Sequence, residues 1–525
     1  MNINAELAWK RVKKDLNGKH FIAPLFLTKI LDHNYEKWIK YLNERFSAQA
    51  HFPHPMEIIE VPKGKGLIRP GSLINVEDNI MYTALVQECY PLILKQISWS
   101  QNVVDFAYIL SDENLENADW FKQQLIGWNN FREKSIEKVS TGYQYVIVTD
   151  LTGFYDNIDI QTLIFDLKSI GVDPEITAEL SRYLNKWTQI NGRGLPQSNS
   201  ASDVLAKLYL DNVDQGLRNA GFSHLRYVDD IRIFCKNLVE AKKALIELTR
   251  LLRKRGLNIQ SAKTKILNSR QAMDEIEGLQ PLIGVVQEKF REEIISFEFS
   301  SAYFDSEDGE EFVDNSETPL EVIRETFKTY FVDGSDEDFD KTLLHYLLNR
   351  LISESDSYAL DYCLANFERH PEETSYFLKY SKSLDTFDIE VLDLMDNMKN
   401  SLIAFLQSDA AIYDYQNYQI LVWFNDNIPT QSEQLLSICR SYAFDNNKPY
   451  YLRSISRLIL GRFGNFADLE KLEDHLNYIN SDLERAELLC SLVKMEKGRR
   501  NSLLSRFSKD GLLTEFAIPF IKAQH

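Results

Sequence analysis

Two short runs in the N-terminal half place acidic residues where a strand should end or turn. Residues 141–150, TGYQYVIVTD, read as a buried strand closed by Asp150. Residues 223–235, SHLRYVDDIRIFC, read as two short strands joined at Asp229 and Asp230. One acid at a two-residue turn is ordinary, because Asp favours turns. Three carboxylates gathered at one sheet edge are not, since they repel strongly unless divalent cations neutralise them. An aspartate at the C-terminal end of a strand projects from the sheet edge, where a neighbouring hairpin can set Asp229 beside it. Oxygen-only ligation without nearby His or Cys favours Mg²⁺ or Mn²⁺ over zinc. Two such ions suit in-line displacement at phosphorus, one activating the attacking hydroxyl and the other steadying the leaving oxygen.

The surrounding residues alternate strand-like and helix-like patterns over the first 270 positions. QTLIFDLKSI (161–170) and ITAELSRYLNKW (176–187) space their apolar residues three to four apart, as amphipathic helices do. NGRGLPQSNS (191–200) is a loop by its Gly, Pro, Asn and Ser content. It runs into a helix over 202–220, which a Ser or Asp is placed to cap. A further helix over 238–255 should stop at Gly256. Antiparallel strands with helices kept to one face make an α+β domain.

Length predicts two or three domains for 525 residues. The net charge of −19 argues against a nucleic-acid partner until it is divided. Residues 1–270 hold 35 Lys and Arg against 31 Asp and Glu, a balance of +4, so the remainder carries −23. Such asymmetry suggests two parts with different jobs, and a local basic groove can still steer a polyanion. Five scattered cysteines (Cys89, Cys235, Cys363, Cys439, Cys490), never in a C-x-x-C pair, argue against a disulfide framework or structural zinc and suit a cytoplasmic setting. No apolar run reaches the length of a membrane span, and the polar start MNINAELAWKRVKKDL lacks a secretory apolar core, so no membrane association is expected.

Past residue 275 the texture changes. FDSEDGEEFVDNSETP (304–319) reads as an acidic loop, and everything from about 320 is helix-patterned, with breaks at Pro371, Pro429, Pro449 and Gly461. Segment 451–476 reads as two short amphipathic helices joined at Gly-Asn, a unit that resembles a HEAT-type repeat without a strict period, with a plain helical bundle as the alternative. The expected organisation is a first domain over 1–275, an acidic connector over 276–320 and an all-helical repeat-like domain over 321–525.

Five blocks of the sequence resemble, in order, the motifs of reverse transcriptases. VPKGKGLIRPGSL (61–73) is similar to the basic fingers segment and VTDLTGFYDNI (148–158) to motif A. GLPQSNSASDVLAKLYL (194–210) resembles motif B, RYVDDIRIF (226–234) the Y-x-D-D motif C, and RGLNIQSAKTKIL (255–267) motif D. The resemblance implies a polymerase palm-and-fingers domain, followed here by the HEAT-like helical part. It implies that Asp150, Asp229 and Asp230 bind two Mg²⁺ ions, with Mn²⁺ as the substitute, and are catalytic, Asp230 being the less essential. It implies that Tyr155 fills the space a 2′-hydroxyl would need, and that Gln197 lies beside the incoming base. Lys63 and Arg69 would grip the triphosphate, and Lys263 would donate a proton to departing pyrophosphate. Where the family has glycine after Pro-Gln, this chain has Ser198.

A long acidic helical part in place of a compact basic thumb is similar to the defence-associated, abortive-infection reverse transcriptases of bacteria. That likeness implies an antiviral, anti-phage enzyme of the cytoplasm that polymerises DNA from dNTPs. It also implies a homo-oligomer, trimer or hexamer, with synthesis either primed from a protein tyrosine without a template or organised by a small noncoding RNA. A conventional templated polymerase of a mobile element is the second reading, and an inactive helical scaffold that binds a partner protein is the third.

Overall fold

The computed structural model describes residues 3–47, 51–111, 118–122, 124–277, 320–334, 339–384, 389–428 and 431–524. Pro429 and nearly all of the expected acidic connector, 276–320, lie outside the described residues. The chain divides into two compact units: residues 1–20, 41–57 and 72–317 form one, and residues 21–40, 58–71 and 318–525 the other.

The first unit is built on a four-stranded antiparallel sheet in the order β4-β5-β3-β6. Its strands are β3 (Tyr145–Thr149), β4 (Ser223–Tyr227), β5 (Asp230–Cys235) and β6 (Lys265–Asn268). Around them run α1 (Ala5–Gly18), α4 (Val76–Ile97), α5 (Gln124–Ser140), α6 (Phe154–Asn157), α7 (Ile160–Ser169), α8 (Pro174–Trp187), α9 (Ser200–Asn219), α10 (Leu238–Lys254) and α11 (Ser269–Glu277). The sheet is covered on both faces rather than one. Val146, Leu225, Tyr227 and Phe234 form a core with Trp128 and Phe131 of α5 and Ala272 and Ile276 of α11. The opposite face packs on α9 and α10. The physical reason lies in the strands themselves. Nearly every residue of β4 and β5 is buried, including those that alternation sends away from α5. The fold class stays α+β.

Helix boundaries follow their capping residues. α7 starts at Asp159 and α8 at Asp173 with Pro174 next, each acid accepting a backbone N–H of its first turn. The cap of α9 is Asn199, earlier than the Ser or Asp expected, and this frees Asp203 to sit inside the helix. α10 ends at Lys254, and Gly256 follows in the left-handed region at φ 73°.

The second unit combines the segment holding α2 (Leu27–His33) and the start of α3 (Tyr35–Ser47), most of the hairpin β1 (Glu57–Lys63) and β2 (Leu67–Leu73), and the C-terminal helices. Residues 21–40 and 58–71 thus belong here although they fall within 1–275. Three contacts explain it: Phe21 packs edge-on against Tyr415, Leu25 N–H donates to Glu487 at 2.8 Å, and Asn34 donates to the Phe516 carbonyl at 2.9 Å. Among the described residues, Lys341–Ser353, Thr374–Lys382, Asp414–Asn427, Tyr450–Phe463, Asp482–Ser491 and Leu512–Ala523 pack each on the next in one row, and α2 packs on the last. Gly461 is not a break. It lies within Tyr450–Phe463, and a Cβ there would come 2.2 Å from the Ser491 carbonyl oxygen, so glycine permits the close approach of two helices. The break comes at Gly464–Asn465, where Asn465 forms a capping box with Asp468.

Candidate active site

β3 pairs with β5 so that Tyr145 faces Cys235 and Thr149 faces Ile231. One step further along this register, Asp150 comes opposite Asp230. β4 pairs with β5 with Tyr227 opposite Asp230, which leaves Val228 and Asp229 as a two-residue loop. Val228 has φ 53°, a conformation that β-branched residues rarely adopt. The strain is held from below. Arg226 donates from Nη1 to the Val228 carbonyl at 3.0 Å, and its guanidinium is fixed by Asp214 at 2.8 Å and Asp105 at 3.0 Å. Lys207 completes this buried network at 2.6 Å from Asp105.

The loop delivers the Asp229 carboxyl to hydrogen-bonding contact with Asp150. Burial, followed by the charge of Asp150, pushes the Asp229 carboxyl up to about 7. Asp230 is also shifted upward, by burial and then by Asp150, against the opposing charge of Arg232. Asp230 acts on Asp150 through charge, so the arrangement is a touching pair with a third acid nearby rather than one closed triad.

Asp150 is anchored through its backbone. Its carbonyl accepts from Gln260 N–H at 2.7 Å, and Thr152 N–H donates to Asn258 at 2.9 Å, so residues 258–260 run beside the strand end. That pairing brings Lys263 within 2.6 Å of Asp150 Oδ2. The other oxygen, Oδ1, is buried and receives no N–H or O–H donor. Two abutting carboxylates with a buried, undonated oxygen are stable only around a shared proton or a cation. This oxygen-only donor set fits a divalent cation of the Mg²⁺ or Mn²⁺ class.

Tyr155, on α6, donates to Asp203 Oδ1 at 2.5 Å, and burial together with that carboxylate holds its phenol proton well above the ordinary range. Asp229 is among the charges that act on it, which sets the ring beside the carboxylates. Lys19 pairs with Asp203 and reaches Ser200 Oγ at 3.3 Å, while Asp15 accepts from both the N–H and the hydroxyl of Ser200. The resulting chain, Lys19–Asp203–Tyr155, was missed from sequence, although Asp203 stands in plain view within SASDVLAKLYL. Its partner lies 184 positions away, and no local pattern joins the two.

Gln197 donates from Nε2 to Asp156 at 2.8 Å and from its backbone to Ser72 Oγ at 2.9 Å, so the residue next to Tyr155 on α6 positions it. Ser198 sits at φ 58°. It adopts without glycine the left-handed geometry for which glycine is suited. Lys63 and Arg69 stand on the β1–β2 hairpin of the second unit, Lys63 exposed and Arg69 half-buried.

Residues 61–291 match a family model described as reverse transcriptase (RNA-dependent DNA polymerase). No curated protein sequence matches the chain. Similar solved structures include apo telomerase from Candida tropicalis truncated from its C-terminal domain, with 16% identity over 41% of this chain and 50% of that one and a TM-score of 0.31. Telomerase from Candida albicans, in complex with a TWJ fragment of telomeric RNA, shows 11% identity over 73% of this chain and 68% of that one, with a TM-score of 0.32. The chain spans half the length of the first of these structures.

Proposed function

We propose, from the match of residues 61–291 to a reverse transcriptase family, that the chain is an antiviral defence polymerase that makes DNA from dNTPs. The observation that carries the catalytic part is the meeting of Asp150 and Asp229, with Asp150 Oδ1 buried and undonated. In this reading Asp150 and Asp229, with Asp230 beside them, would hold two Mg²⁺ ions. Bound there, the ions would supply an activated attacking hydroxyl and neutralise charge on the leaving oxygen.

The chain's own residues do the rest. Tyr155, locked by Asp203, blocks the space of a 2′-hydroxyl and so selects deoxynucleotides. Gln197, steadied by Asp156, borders the incoming base. By the motif they match, Lys63 and Arg69 would grip a triphosphate, Arg through its planar fork. Lys263, at 2.6 Å from Asp150, balances negative charge at the site and stands ready to give its proton to departing pyrophosphate.

The defence role is supported by the pairing of this domain with a stacked helical unit and an acidic C-terminal half of net charge −23. Such a half repels phosphate and is unsuited to clasping a long duplex. A cytoplasmic homo-oligomer, with HEAT-like packing and either a tyrosine primer or a small noncoding RNA, completes the proposal. Purified full-length protein incubated with labelled dNTPs and Mg²⁺, with and without nuclease and with and without primer–template, tests it. Incorporation that Asp229→Asn abolishes is the expected result, and label retained on denatured protein identifies protein priming. No incorporation under any condition overturns the polymerase reading. Phage protection that survives in Asp229→Asn overturns the link between synthesis and defence.

A further inference from the structure

Away from the carboxylate pair, the first unit gathers His51, His54 and Asp78 so that one ligand atom from each lies within 4.8 Å of the others. Among the described residues no other set of His, Cys, Asp and Glu does so. We propose that these three residues form a second metal site, for a first-row transition ion of the zinc class.

The donor chemistry differs from that of the polymerase site. Two imidazoles and one carboxylate suit Zn²⁺, which binds His nitrogen and carboxylate oxygen at about 2.0–2.2 Å. Tetrahedral bonds of that length separate neighbouring ligand atoms by about 3.3 Å. With Asp78 Oδ1 as the carboxylate ligand, His54 Nδ1 stands 3.4 Å from it, His51 Nε2 touches it, and the ligand atoms of the two histidines lie within 4.8 Å, so His51 parts from Oδ1 as the three close on an ion.

The site is also built. Asp78 lies in the first turn of α4 and is fully buried, as is His51. Both histidine backbones are tied to α8: Arg182 donates to the His51 carbonyl at 2.8 Å, and Trp187 Nε1 donates to the His54 carbonyl at 3.1 Å. His54 N–H donates to Asp78 Oδ2 at 2.6 Å, and the His51 ring lies against that of Tyr183. Behind the ligands, Arg45 Nε donates both to His51 Nδ1 at 3.3 Å and to Glu77 Oε2 at 3.0 Å, and that carboxylate oxygen stands 3.6 Å from Nδ1. An acid behind a ligating imidazole is the usual means of fixing its tautomer. A cation on Nε2 moves the ring proton to Nδ1, which then gives up the Arg45 bond to Glu77 and turns its N–H toward that carboxylate. The His54 side chain is 53% exposed, which leaves an entry path and a place for a water as fourth ligand.

The chemical role is a staple. It fixes the segment just before β1 to the start of α4, without touching substrate.

The test uses full-length Asp229→Asn protein, in which the polymerase site is weakened, stripped with chelator and titrated with Co²⁺ and Zn²⁺. The expected result is one bound Co²⁺ with the visible absorption of a four-coordinate nitrogen–oxygen site, and a Tm that rises on adding Zn²⁺. His54→Ala, at an exposed position whose backbone bonds survive, should weaken binding at least ~10-fold and cancel the Tm rise. Equal Co²⁺ stoichiometry, spectrum and Tm response in the two proteins would overturn the proposal and leave the cluster as a hydrogen-bonded group alone.

Discussion

Arg226 holds the carbonyl of Val228, two residues along its own chain, at 3.0 Å, and through it the loop that presents Asp229. Two buried acids, Asp214 and Asp105, keep the guanidinium in that position. Lysine at 226 keeps the charge but lacks the planar fork that serves three partners at once. Arg226→Lys should therefore lower kcat for primer extension about tenfold with little change in KM. It should also cost about 1–2 kcal/mol in urea unfolding. An unchanged kcat would show that the loop stands without this support.

Ser198 occupies a left-handed conformation that costs a residue with a Cβ about 1–2 kcal/mol. Ser198→Gly relieves that cost but adds freedom to the unfolded chain. A net gain of a few tenths to about 1 kcal/mol is expected, with incorporation activity retained. Calorimetry showing a lower Tm for this variant would mean that the serine side chain contributes more than its backbone costs.

Tyr155 should separate size from hydrogen bonding. Tyr155→Ala opens the space beside the sugar and should raise ribonucleotide incorporation at least tenfold relative to deoxynucleotides. Tyr155→Phe keeps the ring and removes only the bond to Asp203. Its selectivity should hold while stability falls by about 1–2 kcal/mol, because the buried Asp203 loses a donor. Single-nucleotide incorporation assays with paired dNTP and rNTP distinguish the two outcomes.

Glu487 is buried in the second unit, where Leu25 N–H and the Ser454 hydroxyl donate to it, yet burial still pushes its carboxyl up to about 7. Between its unfolded value and 7 the folded form keeps a proton that the unfolded form has lost, so this group lowers stability as pH rises through that window. The penalty is complete above about 7 and absent below the unfolded value. Glu487→Gln should consequently raise Tm at pH 8, by up to roughly 3 kcal/mol of stability, and leave it unchanged at pH 4. Equal shifts at both pH values would point to packing instead.

The strands, the helices and the carboxylate pair could be read from sequence because each rests on local pattern. Asp150 closes an apolar run, Asp229 and Asp230 interrupt a hairpin, and Gly256 ends a helix. What could not be read depends on separations of a hundred positions or more. Lys19 finds Asp203, Asp105 finds Arg226, and Lys263 finds Asp150, each through register and helix packing that no short window contains. The helices on both faces of the sheet were missed for a related reason. Charged strand residues do not mark an open face here: Arg226 is buried against Asp214 of α9 and Arg232 against Ser135 of α5, on opposite faces. The His51, His54 and Asp78 group shows the same limit at shorter range, since the acid that joins H-F-P-H lies 24 positions beyond His54, in α4.

The two units are threaded rather than consecutive: residues 21–40 and 58–71 join the C-terminal helices, while the segments on either side of them join the sheet. Severing the chain at any one bond near residue 320 would strand α2 and the β1–β2 hairpin without the helices that complete them. Neither product would then be a whole folding unit. Shuffling of gene fragments would meet the same obstacle, so the polymerase half and the helical half of such a chain must be inherited as a single piece.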